Sequence, residues 1–194
     1  MGPTALDRAP GPVVEWVMAR RLALAVVILI AVAGCGDDDG PSSDSVPADF
    51  AFEYRWYEGS VAPPWHYSFD IVLAADGTGS ITFWPDYRGS DVPRWTEALA
   101  PQPEEIESVY FTMYDEGVFR RSWEEDPEPP VGGSVAGITV VADGQTYEIP
   151  FDLRSAGDRD AAVVVYGAVE GLVPSDTWRQ FEDLRTDYID SYGG

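Results

Sequence analysis

The residues with the clearest catalytic potential are His66, Ser68 and Asp70, which alternate along one short stretch of the chain. His66 is the only histidine in the sequence, so any histidine base must be this residue. A serine nucleophile activated by a histidine base is the chemistry that these residue types suggest. Alternate residues of a strand lie about 6.6–7 Å apart, however, whereas a serine-to-base contact needs about 3 Å. We therefore expect the three side chains to form a polar strand face and no catalytic triad.

Acidic side chains suggest a second chemistry. Glu124, Glu125 and Asp126 follow Trp123, and glycoside hydrolases place two carboxyl groups around a sugar. One of those carboxyls must be buried to raise its pKa, but this segment is rich in proline and glutamate and predicts a solvated loop. The sequence contains no zinc-ligand spacing, phosphate-binding glycine motif or dinucleotide fingerprint, so we expect no metal and no cofactor. We favour a binding protein, with a hydrolase that uses paired carboxylates as the alternative.

Aromatic and arginine residues give the best indication of binding. They fall on the outward face of predicted strands or in the loop that follows the first predicted hairpin. The residues are Tyr57, Trp84, Tyr87, Arg88, Arg94 and Trp95. Aromatic rings beside arginine, in an otherwise acidic protein, suit an interaction patch or a carbohydrate platform. The alternative is that the long loop folds back and covers the sheet edge with its rings.

Alternating hydrophobicity predicts the strands that position these groups. Residues 50–56 predict an N-terminal strand, because their aromatic side chains share one parity. Residues 65–84 predict a hairpin that turns at Asp76-Gly77, and residues 135–151 predict a second one that turns at Asp143-Gly144. Asp-Gly pairs favour the positive backbone angles of tight turns, which makes both hairpins well defined.

Apolar residues at helical spacing predict three helices. They cover residues 104–117, residues 162–173 and a last segment from about Ser175 to Tyr188. Residues 85–103 predict a loop, and Val118 with Phe119 a short strand. We infer an α+β class: an antiparallel sheet of two hairpins plus an N-terminal strand, with about three helices packed on one face.

Composition limits the partners of this 194-residue chain. It carries 34 acidic side chains against 12 basic ones, all arginine, for a net charge of −22. Nucleic acid and anionic lipid surfaces would be repelled, so we expect neither as a binding partner. The single cysteine excludes an internal disulfide, so packing must stabilise the fold.

The N-terminal region contains the most specific motif. An apolar run from Leu22 to Ala33 follows Arg20-Arg21 and ends in Val32-Ala33-Gly34-Cys35. This segment is too short to span a bilayer and has the length of a signal-peptide core. Val32-Ala33-Gly34-Cys35 resembles the lipobox of bacterial lipoproteins, in which the cysteine receives a diacylglycerol thioether and becomes the first mature residue. Cleavage after Ala33, which would yield a soluble exported protein, is the alternative.

The resemblance implies a domain organisation. Residues 1–34 form the signal peptide, and our hypothesis is that translation starts at Met18. Residues 35–48 comprise the lipidated Cys35 and a flexible acidic tether, and residues 49–194 form a single α+β globular domain.

The resemblance also implies a location and a role. A lipid anchor would hold the protein on a membrane of the cell envelope, facing the periplasm or the exterior. We expect a non-catalytic protein that binds an envelope protein or a carbohydrate there. The alternatives are an envelope hydrolase and a structural or stress-related surface lipoprotein without a small ligand.

Overall fold

A six-stranded antiparallel sheet, in the order β4-β3-β2-β1-β5-β6, forms the framework of the protein. The computed structural model describes residues 40–129 and 132–192, so the predicted signal peptide and Cys35 lie outside the described residues. The strands are β1 (Ala51–Tyr57), β2 (Ser68–Leu73), β3 (Gly79–Trp84), β4 (Trp95–Leu99), β5 (Val135–Ala142) and β6 (Gln145–Ile149). The N-terminal strand β1 is central, with β2 on one side and β5 on the other.

Three helices pack against one face of this sheet. They are α1 (Pro103–Asp115), α2 (Ala156–Glu170) and α3 (Ser175–Tyr192). Their buried side chains join those of the strands in one hydrophobic core. The helix residues in that core are Val109, Tyr110, Met113, Ala162, Val165, Val169 and Phe181. The predicted α+β class, with antiparallel strands and three helices, is confirmed.

Strand parity separates the two faces of the sheet as predicted. In β1, Phe52 and Tyr54 are buried under the helices, whereas Glu53 and Arg55 lie on the uncovered face. Period-two alternation of this kind follows from the pleat, which points successive side chains to opposite sides. The edge strands β4 and β6 are each five residues long.

Strand β4 lies within the segment that the sequence predicts as a loop. It pairs with β3, where Phe83 opposes Trp95 and the hydroxyls of Thr82 and Thr96 lie 3.1 Å apart. Its alternation is weak because an edge strand buries only part of one side. Pairing with β3, a tertiary contact, therefore decides its conformation.

The prediction of a short strand at Val118 and Phe119 is wrong, because both residues belong to a turn that ends α1. Gly117 adopts a φ of +82°, and the Val118 N–H donates to the Met113 carbonyl at 2.9 Å. A glycine in this left-handed conformation is a common way to end a helix. Both apolar side chains are buried here without a strand.

The described segment before Asp49 packs on the domain, so the flexible tether predicted through Ala48 is wrong for residues 40–48. Pro41 is buried, and Val46 contacts the core. The Tyr110 hydroxyl donates to the Ser42 carbonyl at 2.6 Å. A buried hydroxyl needs an acceptor, and this segment supplies one, which explains why a polar sequence is held in place.

Tyr110 should make the free energy of unfolding depend on pH in the alkaline range. Burial raises the pKa of its phenol to about 12, against about 10 in an unfolded chain. The stability that the protonated Tyr110 phenol contributes to the fold is therefore complete below pH 10 and is lost as the pH rises through 12. We expect the free energy of unfolding to fall by about 2 kcal/mol over this range because of this group. Urea denaturation from pH 9 to 12 measures it, with Tyr110→Phe as the control; the same pH dependence in both proteins would contradict the assignment.

Candidate functional site

The three residues of the hypothetical triad make separate contacts. Ser68 and Asp70 lie on the uncovered face of β2, and both bind Arg88: the guanidinium donates to Ser68 Oγ at 3.2 Å and to the two Asp70 oxygens at 2.5 and 3.0 Å. His66 precedes β2 and stacks on the Tyr87 ring with centroids 3.8 Å apart. Serine and aspartate therefore hold an arginine, and the histidine lies in a different packing environment.

Three residues of the predicted aromatic patch lie together on the uncovered face: Tyr57, Trp84 and Arg88. The Arg88 guanidinium lies 3.8 Å from the Trp84 ring centroid and 4.8 Å from that of Tyr57. We call Arg88 with Tyr57, Ser68, Asp70 and Trp84 the Arg88 cluster. Its ring faces and its carboxylate already contact a cation of the same chain, so the cluster stabilises the hairpin.

The remaining patch residues lie elsewhere. Tyr87 is exposed beside the Arg88 cluster, and Arg94 is exposed in the loop before β4. Trp95 lies on the helix-covered face and stacks on Phe83 with centroids 5.9 Å apart. It is opposite Phe83 in the β3–β4 register and must share its parity. Trp84 and Trp95 therefore lie on opposite faces, and the predicted continuous patch is wrong in this respect.

The acidic loop after Trp123 reaches the helix-covered side. Glu124 forms an exposed ion pair with Arg154 at 3.6 Å. The Asp126 N–H donates to the Asp152 carbonyl at 2.7 Å, which fixes the loop beside the segment after β6. This contact brings the Asp126 side chain to the edge of a cleft.

The cleft lies between α2 and the β1 and β5 strands and has a volume of about 890 Å³. We call it the α2 cleft. Ligand sites commonly measure about 300–1,000 Å³. Aromatic residues form much of its wall: Tyr54, Trp56, Phe151 and Tyr166. Trp56, Phe151 and Tyr166 are half-buried and can present ring surface to a ligand, whereas Tyr54 is fully buried at the base.

Hydrogen bonds fix the tyrosines of the cleft. The Tyr54 hydroxyl donates to a Glu170 oxygen at 2.6 Å, and the Tyr166 hydroxyl donates to the Ala136 carbonyl at 3.0 Å. Burial raises the pKa of both phenols, and the bond to Glu170 raises that of Tyr54 further. Both phenols therefore stay protonated at neutral pH, and each proton is already donated, to Glu170 or to the Ala136 carbonyl.

Negative charge dominates the cleft. Its charged lining residues are Asp126, Glu128, Asp152, Glu170 and Arg159, four carboxylates against one guanidinium. Arg159 already donates to the carbonyls of Leu153 and Arg154, at 2.6 and 3.1 Å. The local excess of negative charge has the same sign as the net charge of the whole chain.

A smaller pocket of about 290 Å³ adjoins the α2 cleft and shares Trp56 and Glu170 with it. Its outer wall comes from α3. The Arg185 guanidinium lies 4.4 Å from the Tyr67 ring centroid and donates to the Trp65 carbonyl at 2.9 Å. The pocket therefore extends the aromatic wall of the cleft, with an arginine at its far side.

Gly167 faces the α2 cleft from the middle of α2. A Cβ at this position would meet no atom within 4 Å, so packing does not require glycine here. Glycine inside a helix costs about 1 kcal/mol relative to alanine. The chain thus accepts a less stable helix at a position where a side chain would enter the cleft.

We expect Gly167→Ala to raise the free energy of unfolding by about 0.5–1 kcal/mol, because the methyl group improves helix propensity without a clash. Urea denaturation of the variant and the wild type measures the difference. A destabilised variant would show that glycine is needed here for the backbone.

The sequence pattern assigns the main cleft residues to other roles. Trp56 belongs to the inward face of the first strand, and Tyr166 belongs to the apolar stripe of a helix. Both assignments are correct but incomplete, because a space remains between the two elements. Gly167, inside an otherwise helical pattern, is the one signal that could have indicated the cleft.

Comparison with known proteins assigns no family to the chain: no protein-family model matches it, and no curated protein shows significant sequence similarity. Within residues 40–129 and 132–192, no helix is long and apolar enough to cross a membrane. The fold and the α2 cleft are therefore the features from which a function can be inferred.

Proposed function

We propose that the protein is a non-catalytic, lipid-anchored protein of the bacterial cell envelope that binds a ligand in the α2 cleft. The observation that carries the binding role is the cleft itself, with its size, its aromatic wall and the glycine that leaves it open. The lipobox-like Val32-Ala33-Gly34-Cys35 supports the location.

The exposure of the carboxylates favours binding over hydrolysis. Glu128 is exposed, whereas Asp126, Asp152 and Glu170 are only half-buried. A general acid of a glycoside hydrolase needs a carboxyl group in an environment that keeps its proton at neutral pH. Solvated carboxylates are better suited to attract and hold a ligand.

A tryptophan at Gly167 tests the cleft directly. Gly167→Trp should fill it, whereas Val164→Trp adds the same indole to an exposed part of α2 that does not line the cleft. Thermal unfolding is measured with a panel of neutral oligosaccharides, organic amines, carboxylates and short peptides. We expect at least one class to raise the Tm of the wild type and of Val164→Trp, but not of Gly167→Trp. No stabilising class, or stabilisation that persists in Gly167→Trp, would refute binding in the cleft.

Cys35→Ser tests the proposed anchor. Cys35 precedes Gly40 by five residues, and five extended residues span at most about 18 Å, so an acylated Cys35 would hold the domain near the bilayer. We expect the variant to lose the mass of the acyl chains and to leave the membrane fraction. Continued sedimentation of Cys35→Ser with membranes would indicate a different anchor.

A further inference from the structure

The charge of the α2 cleft indicates the sign of its ligand. Asp152 and Glu170 lie in its lining with two further carboxylates, and Arg159, the one basic residue there, bonds to backbone carbonyls. An anionic ligand would meet uncompensated repulsion, whereas a cation would be attracted both locally and by the field of the whole chain. The cleft therefore favours a positively charged ligand over an anionic one.

Aromatic rings beside these carboxylates narrow the choice further. Trp56 and Tyr166 are half-buried in the wall, and an indole is the aromatic side chain that binds cations most strongly. Aromatic rings also cover the apolar parts of a ligand, which an inorganic ion lacks. In the described part of the chain, no three acidic, histidine or cysteine side chains converge closely enough to hold a metal ion. Dispersed carboxylates with aromatic walls fit an organic cation.

The protein itself uses this combination elsewhere. In the Arg88 cluster, a guanidinium lies 3.8 Å from the Trp84 ring and bonds to Asp70. In the pocket next to the cleft, Arg185 lies 4.4 Å from the Tyr67 ring. At both sites a guanidinium lies over an aromatic ring, and at the first site a carboxylate also binds it.

We propose that the α2 cleft binds an organic cation, an ammonium or guanidinium group attached to an apolar body. The proposal rests on the cleft being the binding site. Glu170 neutralises the charge, while Trp56 and Tyr166 cover the cationic and apolar surface. The cation belongs either to a small amine or to a basic side chain of a peptide, and both share this chemistry.

Two molecules of the same shape test the role of charge. Choline and 3,3-dimethylbutan-1-ol differ only in a positively charged nitrogen that replaces a carbon. Titration calorimetry of the full chain in detergent, with detergent alone as the blank, should show choline binding at least tenfold more tightly. Acetyl-Gly-Arg-Gly-amide against acetyl-Gly-Gln-Gly-amide forms the peptide arm, and the tighter of the two cations identifies the source.

Variants with equal changes of net charge separate the local effect from the general field. Glu170→Gln should weaken choline binding at least tenfold, because it removes the negative charge. The local structure should be retained, since the amide oxygen can still accept from Tyr54. Asp152→Asn should also weaken choline binding. The control is Glu148→Gln, an exposed residue of β6 outside the cleft, and it should leave the affinity unchanged.

Four results would overturn the proposal. Equal affinity for choline and the neutral alcohol would show that charge is not recognised, and equal losses in Glu170→Gln and Glu148→Gln would show that only the general field acts. Binding of a neutral oligosaccharide such as chitotriose, abolished by Gly167→Trp and without any cation binding, would refute the cation while retaining the cleft. If the panel shows no ligand whose binding is sensitive to Gly167→Trp, the cleft itself is refuted.

Discussion

Phe181→Ala is expected to lower the free energy of unfolding by about 3–5 kcal/mol, the usual cost of removing a fully buried phenylalanine. Phe181 is 0% exposed and is the one buried residue of α3. Its ring stacks on Phe83 of β3 with centroids 5.2 Å apart. Without it, the long α3 helix retains only half-buried contacts with the sheet. Urea denaturation at constant pH measures the loss.

Leu184→Ala is the matched control for this prediction. Leu184 lies on the same face of α3 but is only half-buried. We expect a loss of about 1 kcal/mol, because less apolar area leaves water on folding. Similar losses for the two variants would show that α3 is held by distributed contacts and not by Phe181.

The second large effect is expected at the Arg88 cluster. Arg88→Met keeps a long apolar side chain but should lower the free energy of unfolding by about 2–3 kcal/mol, because charge-assisted bonds are lost and a carboxylate is left unpaired. The side chains of Arg88 and Asp70 are 31% and 15% exposed, so solvent only partly replaces the lost bonds. The Ser68 hydroxyl, which is fully buried, also loses its donor.

Arg94→Met provides the comparison for Arg88→Met. Both substitutions remove one positive charge from the segment that connects β3 to β4, but Arg94 is exposed. We expect its effect to stay within about 0.5 kcal/mol, as for most surface substitutions. A cycle with Asp70→Asn then isolates the Arg88–Asp70 interaction. Additive losses in that cycle would contradict a specific pair.

Features encoded by neighbouring residues could be predicted from the sequence. The turns at Asp76-Gly77 and Asp143-Gly144 lie where they were expected, and Gly77 and Asp143 have φ angles of +81° and +50°. Strand parity in β1 and the first turn of α1 also follow from local patterns. These features depend on steric preferences and periodicity, which a single sequence contains.

Features that depend on tertiary contacts could not be predicted. Trp95 takes its orientation from the register with Phe83, and residues 40–48 are held by the Tyr110 hydroxyl. Neither partner is close in sequence, so no local pattern indicates the contact. Trp84 and Arg88, which the sequence assigns to one arginine-aromatic patch, contact each other, and no local pattern indicates this contact.

Apart from Gly167, no residue pattern in the sequence indicates the α2 cleft, and the reason is different. Trp56 on β1 and Tyr166 on α2 occupy positions that the sequence pattern assigns to core packing, and Glu170 follows Tyr166 by one helical turn. The space between the two elements exists only after α2 has docked. Periodicity tells which face of an element is apolar, but not where two apolar faces fail to meet. Such gaps become apparent only in the three-dimensional structure.

The two short edge strands have a consequence for copies of this protein at high local concentration. An exposed strand edge can pair with the same edge of a second molecule and start aggregation. Here β4 carries Glu97, which accepts a hydrogen bond from Gln180 at 3.2 Å, and β6 carries the exposed Glu148. Pairing of like edges would bring these carboxylates together between two chains of net charge −22. We therefore expect that crowding leaves the sheets separate and does not join them into continuous fibres.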